Sequence, residues 1–208
     1  LVSASIGLVL LFSAATCFAR IRSIDARSMS DKIRGGWAGQ AIGCSYGGAM
    51  EFEWLGTWIP DKVPIEWHEN HLSHYYRNKP TLFDDIYVDM TFLAAFVEHG
   101  IDVPTEQIAK QFADTDYRLW HGNQIARLNV QAGIMPPLSG HFRNNPHSED
   151  VDFQIDSDVI GLLCPGMPSL AQQYAQRIGS IIGYGDGVYG GVFVATMHSL
   201  AFVEDDVA

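Results

Sequence analysis

Between Ile33 and Val203, apolar residues recur three and four positions apart, and no run alternates as a strand would. Such a chain can bury one stripe of each helix, which predicts an all-α domain around one core. Seven helices are expected. The first is capped by Ser28 and Ser30, runs to about Gly48, and carries Ile33, Trp37, Ala41 and Ile42 on its apolar side. The second, 86–98, is opened by Asp84 and Asp85 and stopped by Gly100. The third follows Pro104, with Ile108 and Phe112 on one face, and the fourth spans 123–132. The fifth, sixth and seventh are expected over 152–163, 169–183 and 190–203. Residues 60–80 are polar, aromatic and His-rich and read as loop or short helix, and 138–150 reads as a loop. In the first helix Gly35, Gly39, Gly43 and Gly47 fall every four residues on one bare stripe. Each costs about 1 kcal/mol against Ala, so another helix or a ligand is expected to approach that face closely.

The first nineteen residues carry no charge. Their apolar run, 6–12, is too short to span a bilayer, and Cys17 and Ala19 stand at −3 and −1 of a cleavage site. Residues 1–19 are therefore expected to be a signal peptide, leaving 20–208 as the mature domain of a secreted or periplasmic protein with no stable membrane span. Cys17 is also a possible lipidation site, but Ala14 stands where a lipobox has Leu. Removal of the leader leaves Cys44 and Cys164, which suit a disulfide and two buried thiols equally. The chain ends at Ala208, just past an apolar helix that needs a partner, so further sequence is expected beyond it.

The formal charge is −11 at pH 7, from 13 Lys and Arg against 24 Asp and Glu. That excludes the electrostatic footprint of a nucleic-acid binder. It suits a divalent cation if carboxylates converge. Asp84 and Asp85 are the densest candidate: adjacent carboxylates at a helix start can hold or bridge hard cations. Asp89, four residues on, shares the face of Asp85. Glu51 follows the glycine-striped helix, where a carboxylate can act as general base. His68, His71 and His74 miss the HExxH spacing and drift by about 60° around a helix, so they read as a polar loop. Asp152, Asp156 and Asp158 alternate with apolar residues, as an acidic helix start would. Asp158 is the one singled out there as a buried polar anchor. The glycine-rich 183–191 lacks a P-loop lysine and reads as a tight turn with close backbone approach.

Taken in order, these segments resemble the ADP-ribosylglycohydrolase family, which includes the dinitrogenase-reductase-activating glycohydrolases and the J1 crystallins. Asp31-Lys-Ile-Arg-Gly-Gly-Trp-Ala-Gly-Gln-Ala-Ile-Gly43 is similar to that family's first helix, and Glu51-Phe52 to its next acidic position. Phe83-Asp84-Asp85 resembles its first metal motif, Thr-Asp-Asp. The stretches 155–168 and 185–197 resemble one branch of it. The likeness covers about 29–206.

The resemblance implies an orthogonal multi-helix fold, incomplete at the C-terminus, around a pair of Mg²⁺ ions. It also implies hydrolysis of a ribosyl N- or O-glycosidic bond in a small-molecule or ADP-ribosylated substrate. By that likeness Asp84 and Asp85 are metal ligands and Glu51 is catalytic, positioning or deprotonating water. Asp89 and Asp158 are placed on the substrate side. Three features depart from the pattern. Cys44 stands where Asp is common, Phe83 and Ile86 replace hydroxyl residues, and the second metal motif, Asp-x-Asp-Thr, is absent. An exported glycoside or nucleoside hydrolase on the same fold, and a non-catalytic ligand-binding relative, are the alternatives.

Overall fold

The computed structural model describes residues 22–206, so the expected leader 1–19, with Cys17, lies outside the described residues. The described chain is all-helical. Its helices are α1 (Ala26–Gly48), α2 (His71–Asn78), α3 (Asp84–His99), α4 (Thr105–Ala113) and α5 (His121–Gln131). They continue with α6 (Asp152–Ile155), α7 (Asp158–Leu163), α8 (Pro168–Ile182) and α9 (Asp186–Leu200), and a 3-10 turn, Pro80–Phe83, leads into α3.

The expected helices are present, with shifted ends and one division. The cap of α1 is Asp25, not Ser28 or Ser30: its Oδ1 accepts the N–H groups of Arg27 and Ser28, each at 3.0 Å. A carboxylate there satisfies two orphan donors at once, so the helix begins one turn early. The single helix expected over 152–163 is two short ones, because the chain leaves helical geometry at Asp156. Ser157 Oγ donates back to Gln154 O at 3.2 Å, and Asp156 turns into the protein. Within 60–80, α2 forms, and α9 starts four residues earlier than expected, after Gly185 at φ +55°.

The core lies where α3, α4, α5, α7 and α8 converge. Val88, Phe92, Ala95 and Phe96 form the buried stripe of α3 and meet Ile108 and Phe112 of α4, with the Phe92 and Phe112 rings 6.0 Å apart. Ala126 and Val130 of α5, Val159 and Ile160 of α7, and Ala175, Ile178 and Ile182 of α8 complete it. Helices α8 and α9 are joined by three residues and pack along each other. Gly166 N, just before α8, donates to Ser199 O near the end of α9, so the pair runs antiparallel.

The glycine stripe of α1 departs from expectation. A Cβ on Gly35, Gly39, Gly43 or Gly47 would meet nothing within 4 Å. The close approaches are at Gly36 and Gly48, against the side chains of Leu162 and Leu82. Helix α1 packs through that other face, on α3, α7 and the 3-10 turn.

Candidate active site

Residue 83 turns the chain from the 3-10 turn into α3, so Asp84 and Asp85 are the first two residues of that helix. Both are half-buried, beside the end of α1. Cys44 of α1 donates its thiol hydrogen to Asp85 Oδ2 at 3.1 Å. One turn on, Asp89 is fully buried. Its Oδ2 accepts Gln40 Nε2 at 3.0 Å and the Val159 N–H at 3.1 Å, tying α1, α3 and α7 together. Its Oδ1 is buried without a partner. Asp89, expected on the substrate side, thus lies inside the protein, where it joins three helices.

Glu51 lies in the turns after α1 and is exposed. Asp158 opens α7, half-buried, with its Oδ1 3.3 Å from His198 Nε2 of α9. Two further carboxylates reach the same region. Asp152 Oδ1 accepts the Asn123 N–H at 2.8 Å, and Asp156 Oδ2 accepts Asn123 Nδ2 at 2.6 Å. Asn123 thus holds both acids from the first turn of α5, and its own Oδ1 and Asp156 Oδ1 are buried unpartnered.

These acids feel one another. Burial pushes the Asp84 carboxyl up to about 7, and the charges of Asp85, Glu51 and Asp152 add to the rise. Burial also raises Asp85, against the Cys44 hydrogen bond, with Asp158 adding. Asp89 and Asp156 lie well above the ordinary carboxylate range, first through burial and then through neighbouring aspartates. Glu51, Asp84, Asp85, Asp89 and Asp158, far apart in sequence, therefore share one electrostatic neighbourhood with Asp152 and Asp156. Among the described residues no Lys or Arg forms an ion pair with any of them. Buried like charges with no Lys or Arg partner mark a functional site more readily than a stability device.

Asp152, Asp156 and Asn123 were not anticipated as a unit. The four-residue step from Asp152 to Asp156 was a signal, but it equally fits an acidic helix start. Nothing in the sequence places Asn123 between them.

The histidines 68, 71 and 74 border a cleft of about 320 Å³ with Met50, Glu66 and Tyr75. His71 is buried and stacked between Trp67 and Tyr75, at 4.5 and 4.7 Å, and its Nε2 lies 3.2 Å from Ser45 O. The His68 ring is 5.2 Å from His71 and 6.5 Å from His74. The metal-compatible grouping among the described residues lies elsewhere: His121, Asp150 and Asp152 bring one ligand atom each within 4.8 Å of one another. Cys44 and Cys164 are both free thiols.

The all-helical bundle matches the fold class that the sequence led one to expect. No curated protein and no solved structure matches the chain. The family described as ADP-ribosylglycohydrolase matches residues 25–208, nearly all of the described protein, and the chain belongs to that family of glycohydrolases.

Proposed function

We propose that this protein is a metal-dependent hydrolase of a ribosyl N- or O-glycosidic bond, with an ADP-ribosylated or related small molecule as substrate. The observation that carries the reading is Asp84 at the start of α3, half-buried, with its pKa raised by burial and by the charges of Asp85, Glu51 and Asp152. Asp84, Asp85 and Glu51 offer oxygen donors only, which fits a hard divalent cation such as Mg²⁺. One oxygen of Asp85 is engaged by Cys44.

Mg²⁺ bound there would supply Lewis-acid polarisation and a more acidic water. The protein's own groups do the rest. Glu51, exposed at the rim, is free to take a proton from the attacking water. The buried negative charge of Asp84 and Asp85 favours a sugar ring that gains positive charge as its glycosidic bond breaks. Asp89 and Asp158 act from behind, fixing α3 and α7 so that the acids stay aligned.

Release of ADP-ribose from an ADP-ribosylated peptide, in Mg²⁺, tests the proposal. Asp84→Asn and Asp85→Asn should abolish release, and Glu51→Gln should lower kcat by about 10²–10⁴-fold. Undiminished rates in the folded Asp variants would remove the metal role. Cleavage of simple nucleosides or glycosides with no ADP-ribose release would move the substrate to the exported-hydrolase alternative. Tight ADP-ribose binding by the unaltered protein with no turnover would make it a binding relative.

We further propose that the protein is secreted or periplasmic, supported by the uncharged 1–19 segment with its small-residue end. No described helix is long and apolar enough to cross a membrane. N-terminal sequencing of the exported product, with a start at Arg20, is the test.

A further inference from the structure

We propose that His121, Asp150 and Asp152 form a metal site of their own, bordering the Asp84–Asp85 pair and selective for a divalent transition ion of the Zn²⁺ class. Three ligand atoms from these residues lie within 4.8 Å of one another, the separation that ligands on one ion require. The donor set differs in kind from the all-oxygen set at α3. An imidazole nitrogen suits Zn²⁺, Co²⁺ or Ni²⁺, whereas Mg²⁺ favours oxygen and dehydrates reluctantly.

The surroundings are built as a metal site's outer layer is built. Asp152 is nearly buried and held by the Asn123 N–H through Oδ1, and Asp150 Oδ2 lies 2.7 Å from His147 Nδ1. Each carboxylate is thus held in place by a neighbouring group. Such outer partners orient ligands and raise their basicity. The His147 and His121 rings lie 5.3 Å apart, which places a second imidazole beside the first. Gly122 lets the Asp150–Asp152 turn close on α5: a Cβ there would stand 2.9 Å from His147 O and 3.4 Å from Asp152 Oδ2. Asn123, which holds Asp152, is itself 2% exposed, and its Oδ1 is buried without a donor.

The site is tested by metal binding, independently of turnover. The dialysed full-length protein is titrated with Co²⁺ in excess Mg²⁺, and the visible ligand-field bands are followed. One equivalent of Co²⁺ should bind with no thiolate charge-transfer band, and Zn²⁺ should displace it. His121→Gln should abolish the bands, and His147→Gln should weaken binding by about 10–100-fold. The double variant Asp84→Asn, Asp85→Asn and the control His74→Gln should leave the stoichiometry unchanged. Circular dichroism of each variant separates loss of the site from loss of the fold. Co²⁺ binding that survives His121→Gln, that vanishes in the Asp84, Asp85 variant, or that is absent from the folded unaltered protein overturns the proposal. Failure of the hydrolase reading shows instead as absent turnover with this binding intact.

Discussion

The Cys44 thiol lies 3.1 Å from Asp85 Oδ2 and donates its hydrogen to that oxygen. Helix α1 thereby holds the second acid of the pair with a neutral donor at a position where the family commonly carries Asp. The arrangement keeps one oxygen of Asp85 engaged and adds no further negative charge to the cluster.

Burial together with the same contact disfavours the thiolate. Burial pushes its pKa up strongly, and the charges of Asp85 and Asp84 push it further. Thiolate is the nucleophile, so Cys44 in the native protein should alkylate with iodoacetamide far more slowly than in the unfolded chain. Asp85→Asn removes the second cause of the rise and should speed the reaction several-fold, while Asp31→Asn on the same helix should not. Mass-spectrometric quantification of Cys44 labelling is the check. Equal rates in native and Asp85→Asn protein would mean that the contact does not govern the thiol.

Stability should fall as pH rises, opposite to the usual behaviour of paired carboxylates. Asp89 and Asp156 have folded-state pKa values well above the unfolded value of 3.8, and Asp84 rises to about 7. The folded protein therefore binds protons that the unfolded chain releases. That stabilisation is complete below about pH 3.8 and drains away as pH climbs through the folded values, the share of Asp84 around pH 7. In metal-free buffer the melting temperature should drop between pH 5 and pH 8. Asp156→Asn, which mimics the protonated acid, should flatten the drop, and added divalent cation should restore stability at pH 8. A melting temperature that rises over this window would contradict the shared burial of these acids.

Asn123 should be costly to replace. It donates from its backbone to Asp152 and from Nδ2 to Asp156, at 2.8 and 2.6 Å, inside the protein. Asn123→Ala strands Asp156 Oδ2 without a donor and should cost about 1–3 kcal/mol. Asn123→Asp adds a like charge against Asp156 and should cost more at pH 8 than at pH 5. Denaturant unfolding at the two pH values measures both. A pH-independent cost for Asn123→Asp would show that Asp156 is not an ionising neighbour.

The site was legible in sequence where chemistry sits next to chemistry. Asp84 and Asp85 are adjacent at a helix start that precedes an apolar stripe, and that local pattern suffices to turn them inward. The contacts of Asp89 were not legible, because its two partners, Gln40 and Val159, lie 49 residues before and 70 residues after it. His121 and Asp150 were missed for the same reason: each alone is an ordinary loop-edge residue, and only the packing of α5 against the 145–152 turn joins them. The division at Asp156 and Ser157 was hidden by helix-compatible spacing, since the competing bonds belong to tertiary structure.

The two groups of glycines allow opposite predictions from one substitution. Gly35 and Gly39 are exposed on the open face of α1, where an added Cβ meets nothing within 4 Å. Ala there should stabilise the protein by up to about 1 kcal/mol each, from helix propensity alone. Gly191 in α9 is the reverse case. A Cβ would stand 2.3 Å from the Phe153 ring and 2.7 Å from the Phe153 carbonyl oxygen, and backbone cannot give way. Gly140 is similar, with Gly183 N 2.5 Å from its Cβ position. Gly191→Ala and Gly140→Ala should therefore each cost about 1–3 kcal/mol or more. In a domain of this size that lowers the melting temperature by roughly 2–4 °C per kcal/mol. If Gly39→Ala destabilises the protein as much as Gly191→Ala, the α1 stripe is covered in solution, and the open face described above is wrong.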